Sequence, residues 1–282
     1  MKKIRLFFEM IKFEHTLFAL PFAYLGYAFA ARSQWRFSEI FWVTIAMLGA
    51  RTGGMCMNRI IDRRLDELNP RTRLRALVTG EFSPVSAWII NFLSFAALFF
   101  AAYRLNPLCF KLAPVALFFL VIYHYLKRWT WLCHFGIGLV LAMAPLGGWM
   151  AHTGAIEPAQ VVLSFAVLFW VAGFDIFYSL QDVAFDRSHG VHSLPARFGE
   201  KRSLEMAGVC HLLTIGCLIA VGIMIEIAWP YWTGLIACAV ILLMEHRLIR
   251  RNAKKHLEFV FFAMNGTLSG FFFIVAMYSL LV

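Results

Sequence analysis

Asn58, Asp62 and Asp66 stand four residues apart, and Asp175, Asp182 and Asp186 follow at spacings of seven and four. Four-residue steps place the first three along one helical stripe, each about 6 Å further along the axis. Seven residues is close to two turns, so the second trio also shares a face. Like charges one turn apart repel and cost helix stability unless a cation lies between them. Mg²⁺ suits that place: it takes hard oxygen ligands, keeps waters and is commonly shared with substrate phosphates. Two carboxylate pairs on facing helices, with Arg and Lys nearby, make a site for a diphosphate bridged by metal. The plain alternative is two solvated helix ends whose acids pair with neighbouring Arg. Tyr123 and Lys127, again four apart, lie on one face, so Lys127 can reach the same diphosphate. Its plain alternative is a basic anchor at the membrane edge with Tyr123 in the aromatic belt.

The elements that must position these residues follow from composition. Of 282 residues, 61% are hydrophobic and only 15% charged, against roughly 45–50% and about 25% in soluble proteins. Small domains keep much of their surface wet, so a soluble enzyme and a disordered chain are both excluded. Spanning a bilayer takes about 20 mostly apolar residues, and nine stretches qualify: 14–31, 39–58, 83–103, 107–126, 131–151, 159–178, 205–225, 227–244 and 258–281. The fourth is the weakest, interrupted by Lys111 and Pro114. Residues 1–13 alternate basic and apolar and read as an amphipathic lead-in on the membrane surface. Glu14 and His15 ahead of the apolar run argue against a cleavable signal peptide.

Placed on nine spans, Lys and Arg divide 21 to four between the two sides, with Arg51 inside the second span. By the positive-inside rule the N-terminus is expected in the cytoplasm, the C-terminus on the far side, and both acidic motifs on the cytoplasmic face. The net charge of +10 is therefore read as topology, and no nucleic-acid partner is expected. Asp175 falls within a span, where an ionisable residue is costly and usually functional. The six cysteines form no CxxC pair and read as small hydrophobes in helix packing. His134 and His152 read as satisfied polar residues at the ends of the fifth span. His189 and His192 lack partners for a tetrahedral metal site. Gly136, Gly138, Gly147 and Gly148 read as close helix packing. A transporter would carry its ionisable residues near the midplane and show inverted repeats; neither is evident.

Asn58-x3-Asp62-x3-Asp66 followed by Asn69-Pro70-Arg71-Thr72 resembles the first signature of the UbiA superfamily of intramembrane prenyltransferases. Tyr178-Ser-Leu-Gln181-Asp182-x3-Asp186-Arg187 looks like its second, and Tyr123-x3-Lys127 is similar to its tyrosine–lysine element. The stretch from Gly190 to Gly199 has the family's look as well. The resemblance covers nearly the whole chain and is greatest to the 4-hydroxybenzoate polyprenyltransferase branch. Ala76 departs from it, standing where many members have Pro.

The resemblance implies one all-α transmembrane domain over residues 1–282, its nine helices surrounding a central cavity open to the cytoplasm of a bacterial inner membrane. It also implies Mg²⁺-dependent transfer of a polyprenyl group from its diphosphate to a ring carbon of 4-hydroxybenzoate, in quinone synthesis. The runner-up acceptor is a dihydroxynaphthoate of a menaquinone route. Asp62, Asp66, Asp182 and Asp186, with Asn58, would hold the metal. Arg63, Tyr123 and Lys127 would meet the diphosphate, and Arg51 the acceptor's carboxylate. Asp182, or in second place Asp175, would accept the phenolic proton. The donor's apolar chain keeps it in the lipid, at about 0.8 kcal/mol per buried CH₂.

Overall fold

The computed structural model describes residues 2–12 and 16–282. Expectations that touch Met1, Phe13, Glu14 and His15 lie outside the described residues. The helices in chain order are α1 Lys2–Ile11, α2 Thr16–Ala31, α3 Phe37–Ile61, α4 Arg63–Leu68, α5 Ala76–Thr79, α6 Pro84–Leu105 and α7 Pro107–Trp129. They continue as α8 Cys133–Thr153, α9 Pro158–Ser179, α10 Val183–His189, α11 Leu194–Met224, α12 Trp229–Glu258 and α13 Asn265–Tyr278. No strand occurs among the described residues.

Many boundaries obey local rules. Ser83, Asn106 and Ser193 precede a proline at the first or second helical position, and each side-chain oxygen accepts from a backbone N–H of the first turn. α8 ends on Gly154 and α10 on Gly190, both left-handed. α7 runs unbroken through Pro114, so the weakest expected span is a full helix. Eight described stretches are long and apolar enough to cross a membrane, and α2 is shorter, apolar from Leu20 to Ala31. Their outer faces carry exposed Phe92, Phe118, Leu212 and Ile236, as a lipid-facing surface requires.

The largest core cluster joins α2, α8, α9, α11, α12 and α13 through Phe22, Trp149, Trp170, Leu218, Tyr231 and Phe272. Close approach of α8 to α9 needs Gly138, where a Cβ would sit 2.5 Å from the Leu168 carbonyl oxygen, and Gly148 meets the Ala23 carbonyl on α2 in the same way. Gly147 differs from the packing role expected for it: a Cβ there meets nothing within 4 Å, and the residue lines a cavity. That cavity, about 330 Å³ and almost wholly apolar, lies between α3, α6, α7 and α8. α1 is also more than a surface lead-in. Met10 and Ile11 are buried with Cys56 of α3, and Arg59 Nε donates to the Met10 carbonyl at 3.2 Å.

Candidate active site

The first acidic motif sits where α3 breaks into α4. Asp62 has φ −91° and ψ 1°, so the stripe expected to be one helix is two, joined at Asp62. Backbone bonds Asp62 N to Asn58 O (2.9 Å) and Asp66 N to Asp62 O (2.8 Å) carry the hydrogen-bond ladder across the joint. Asn58 Nδ2 donates to Asp62 Oδ2 at 3.0 Å. Asp62 and Asp66 are both buried, and buried carboxylates need partners. Lys127 Nζ donates to Asp62 Oδ2, Arg128 lies 3.4 Å from Asp62 Oδ1, and Arg75 reaches both oxygens of Asp66 at 2.6 Å.

The second motif is interrupted as well. α9 ends at Ser179, and a 3₁₀ turn over Leu180–Asp182 leads into α10, so the trio does not share one straight helical face. Asp175, on the last turns of α9, meets His134 Nδ1 at 2.7 Å. Asp186, buried, accepts from Ser193 Oγ at 2.6 Å. Asp182 faces the loop that follows the first motif: Asn69 Nδ2 donates to Oδ1 at 3.2 Å, and Arg71 spans both oxygens at 3.0 and 2.6 Å. Arg71 also donates to the Tyr178 hydroxyl at 3.2 Å and lies over its ring. Burial opposes the charge on Arg71, but the hydrogen bonds to Asp182 together with the charges of Tyr178, Asp182 and Asp66 outweigh it and raise its pKa. The two motifs, 120 positions apart from Asp62 to Asp182, are thus tied together directly.

Lys127 joins this cluster as its spacing suggested, and the Lys127 carbonyl accepts from His192 N at 2.7 Å. Tyr123 and Arg51 border the apolar cavity, and Arg51 Nε is buried with no hydrogen-bond partner. Arg63 is exposed and takes no part in the cluster's hydrogen bonds. Several partners had no role assigned from sequence: Asn69, Arg71, Arg75, His124, Arg128, His134 and Ser193. His124 meets Asn58 Nδ2 at 3.2 Å through Nδ1. Asn69 and Arg71 stood in the stretch that resembles the family's first signature, Ser193 in the stretch from Gly190 to Gly199, and His134 read as a satisfied polar residue; Arg75 and Arg128 read equally well as topological anchors. As the side chains stand, no three His, Cys, Asp or Glu converge on a metal position among the described residues. The carboxylates point to cations and hydroxyls instead.

Fold and cluster define a polytopic α-helical membrane protein with paired acidic motifs at one end of its bundle, beside an apolar cavity. The UbiA prenyltransferase family model matches residues 19–275. A 4-hydroxybenzoate octaprenyltransferase of Vibrio campbellii is 29% identical over 218 residues, 77% of this chain and 75% of that protein. One from Xylella fastidiosa is 31% identical over 206 residues, 72% of this chain and 67% of its own. Among solved structures, the apo form of a UbiA homologue from Aeropyrum pernix K1 superposes with a TM-score of 0.85 at 31% identity, covering 93% of this chain and 96% of that one. A UbiA homologue from Archaeoglobus fulgidus bound to GPP and Mg²⁺ shares the fold, with a TM-score of 0.77 at 20% identity over 98% and 100% of the two chains. The chain belongs to the UbiA prenyltransferase family, an enzyme class, and its relatives fall in the 4-hydroxybenzoate branch.

Proposed function

We propose that this chain transfers a polyprenyl group from its diphosphate to a ring carbon of 4-hydroxybenzoate, in respiratory quinone synthesis. The observation that carries the reading is the bridge from Asn69 and Arg71 to Asp182, which ties the second acidic motif to the loop that follows the first. The relatives' names supply the acceptor.

The donor set fits a hard divalent cation in its chemistry. Asn58, Asp62, Asp66, Asp182 and Asp186 offer oxygen alone, the ligand type Mg²⁺ takes. Three of the four carboxylates already hold Lys or Arg, so positive charge belongs at these positions. These five residues would hold Mg²⁺, which supplies neutralisation of charge on the leaving diphosphate. Lys127 and exposed Arg63 bind diphosphate oxygens as charge-assisted donors, with Tyr123 one turn before Lys127 on α7. Arg51, its Nε unpartnered at the cavity wall, pairs with the acceptor's carboxylate. The apolar wall keeps water from the allylic carbon while the aromatic ring attacks it. Asp182 or Asp175 takes the phenolic proton.

The donor enters from the lipid, and the cluster and N-terminus face the cytoplasm of the bacterial inner membrane. Residues 1–282 act as one domain. Purified protein in lipid with Mg²⁺, octaprenyl diphosphate and a panel of aromatic acids tests the reading, with products identified by mass spectrometry. Prenylated 4-hydroxybenzoate, lost on adding EDTA, is the expected result. Prenylation of 1,4-dihydroxy-6-naphthoate alone would reassign the acceptor. No product from any acceptor, with donor bound, would sink the reading.

A further inference from the structure

His134, the second residue of α8, is 2% exposed and makes two hydrogen bonds to different parts of the fold. Nδ1 meets Asp175 Oδ2 at 2.7 Å, and Nε2 accepts from the backbone N–H of Leu194 at 3.2 Å. The second bond fixes the first. A backbone N–H can only donate, so Nε2 must carry its lone pair, and the ring proton sits on Nδ1, aimed at Asp175. An imidazolium would set one N–H against another at Leu194. The ring is therefore neutral, and it grips a single carboxylate oxygen.

Among the described residues Asp175 has no other hydrogen bond, which leaves Oδ1 open, and its side chain is 24% exposed. Asp182, by contrast, has both oxygens occupied by Arg71 and Asn69. Leu194 follows Ser193, whose hydroxyl holds Asp186. His134 thus sets Asp175 in register with the corner that holds the second motif's last carboxylate.

We infer that His134 is a positioning residue that holds Asp175 by one oxygen so that the other accepts the acceptor's phenolic proton. The inference rests on the prenyl-transfer reading and deepens it. In the balanced step the phenol O–H bond breaks and its proton passes to Asp175 Oδ1. The ring carbon bonds to the first prenyl carbon as the bond to diphosphate oxygen breaks, and diphosphate leaves with that electron pair. The hydrogen displaced from the ring carbon passes as a proton to the oxygen and restores the phenol, and Asp175 gives up the net proton.

The test measures kcat and both KM values with octaprenyl diphosphate, 4-hydroxybenzoate and Mg²⁺ for the wild type, His134→Ala, His134→Gln, Asp175→Asn and the His134→Ala/Asp175→Asn double variant. Loss of a general base costs typically 10²–10⁴-fold, and loss of a group that orients another about 10–100-fold. His134→Ala is expected to lose kcat by about 10–100-fold with the donor KM within about twofold of wild type. Gln keeps an N–H for Asp175 and an oxygen for Leu194, so His134→Gln recovers most of that loss. Asp175→Asn loses at least as much as His134→Ala, and the double variant is no worse than Asp175→Asn alone. A His134→Ala enzyme with wild-type kcat overturns the inference, as does a defect confined to donor KM, a His134→Gln as poor as His134→Ala, or additive losses. If His134→Ala does not accumulate in membranes, Asp175→Asn and His134→Gln decide. An inactive Asp175→Asn beside an active His134→Gln supports the inference, and wild-type kcat in Asp175→Asn overturns it. A wild type that prenylates no acceptor overturns the prenyl-transfer reading, and the inference with it.

Discussion

The carboxylates of the first acidic motif are held by cations, Asp62 by Lys127 and Arg128 and Asp66 by Arg75, whereas in the second Asp186 takes the Ser193 hydroxyl and Asp175 an imidazole. Only Asp182 of the second motif meets a cation, and that cation, Arg71, comes from the loop after the first. One half of the cluster is thus rich in exchangeable positive charge, and the other, Asp182 apart, is fastened by neutral donors. A diphosphate with its metal suits the first arrangement, because Lys and Arg can turn from carboxylate to phosphate. Proton transfer suits the second, because a carboxylate without a cation beside it is the stronger base.

Removing a carboxylate from either half should have the largest effect. Asp62→Ala or Asp182→Ala is expected to lower kcat by about a thousandfold or more, since loss of one preorganised electrostatic group already costs about 10²–10³. The variants should still reach the membrane in normal amount, as judged by detergent extraction and gel filtration. Wild-type turnover in either would remove that half from the site.

Next in size is Arg75→Ala, which leaves buried Asp66 without its cation. Breaking a buried pair in this way costs about 3–5 kcal/mol. Arg75 is about a quarter exposed (27%), so the lower end is expected, measured by reversible unfolding in mixed micelles. A change under about 1 kcal/mol would place Asp66 with the weakly coupled surface pairs.

Two intermediate effects separate the substrates. Arg51→Met should raise the KM for the aromatic acid about tenfold or more, because a hydrogen bond to a charged group is worth about 1.5–3 kcal/mol. Lys127→Ala should raise the KM for the diphosphate by about the same factor and leave acceptor KM nearly unchanged. An unchanged donor KM in Lys127→Ala would return that residue to the role of topological anchor. An unchanged acceptor KM in Arg51→Met would mean that the buried guanidinium serves packing alone.

The spanning helices were legible because apolar runs carry local information, and the starts of α6 and α7 because the Ser83-Pro84 and Asn106-Pro107 caps do. The start of α11 at Leu194 and the end of α12 at Glu258 lie more than ten residues outside the apolar runs expected at 205–225 and 227–244. The convergence of Lys127 with Asp62 could also be read, from spacing and a shared side of the membrane. The breaks at Asp62 and at Leu180–Asp182 could not. Neither holds Gly or Pro, and each carries a carboxylate whose partners come from distant parts of the chain. The partners of Asp66, Asp182 and Asp175 were hidden for the same reason. A loop arginine's pairing is decided by tertiary geometry, and nothing local to His134 points to a residue 41 positions away.

The smallest effect tests the neutral half directly. Ser193→Ala removes the hydroxyl from Asp186 and the N-cap of α11 together, since Ser193 Oγ donates to one and accepts from Ala196 N. A lost cap costs about 1 kcal/mol, and a carboxylate deprived of one neutral donor adds about as much. The sum should stay below the loss in Arg75→Ala, and Ser193→Thr should recover it. If Ser193→Ala were instead as damaging as Arg75→Ala, Asp186 would need its hydroxyl as strongly as Asp66 needs its cation. The division of the cluster into a cationic and a neutral half would then fail, and with it the reason for assigning proton transfer to the second.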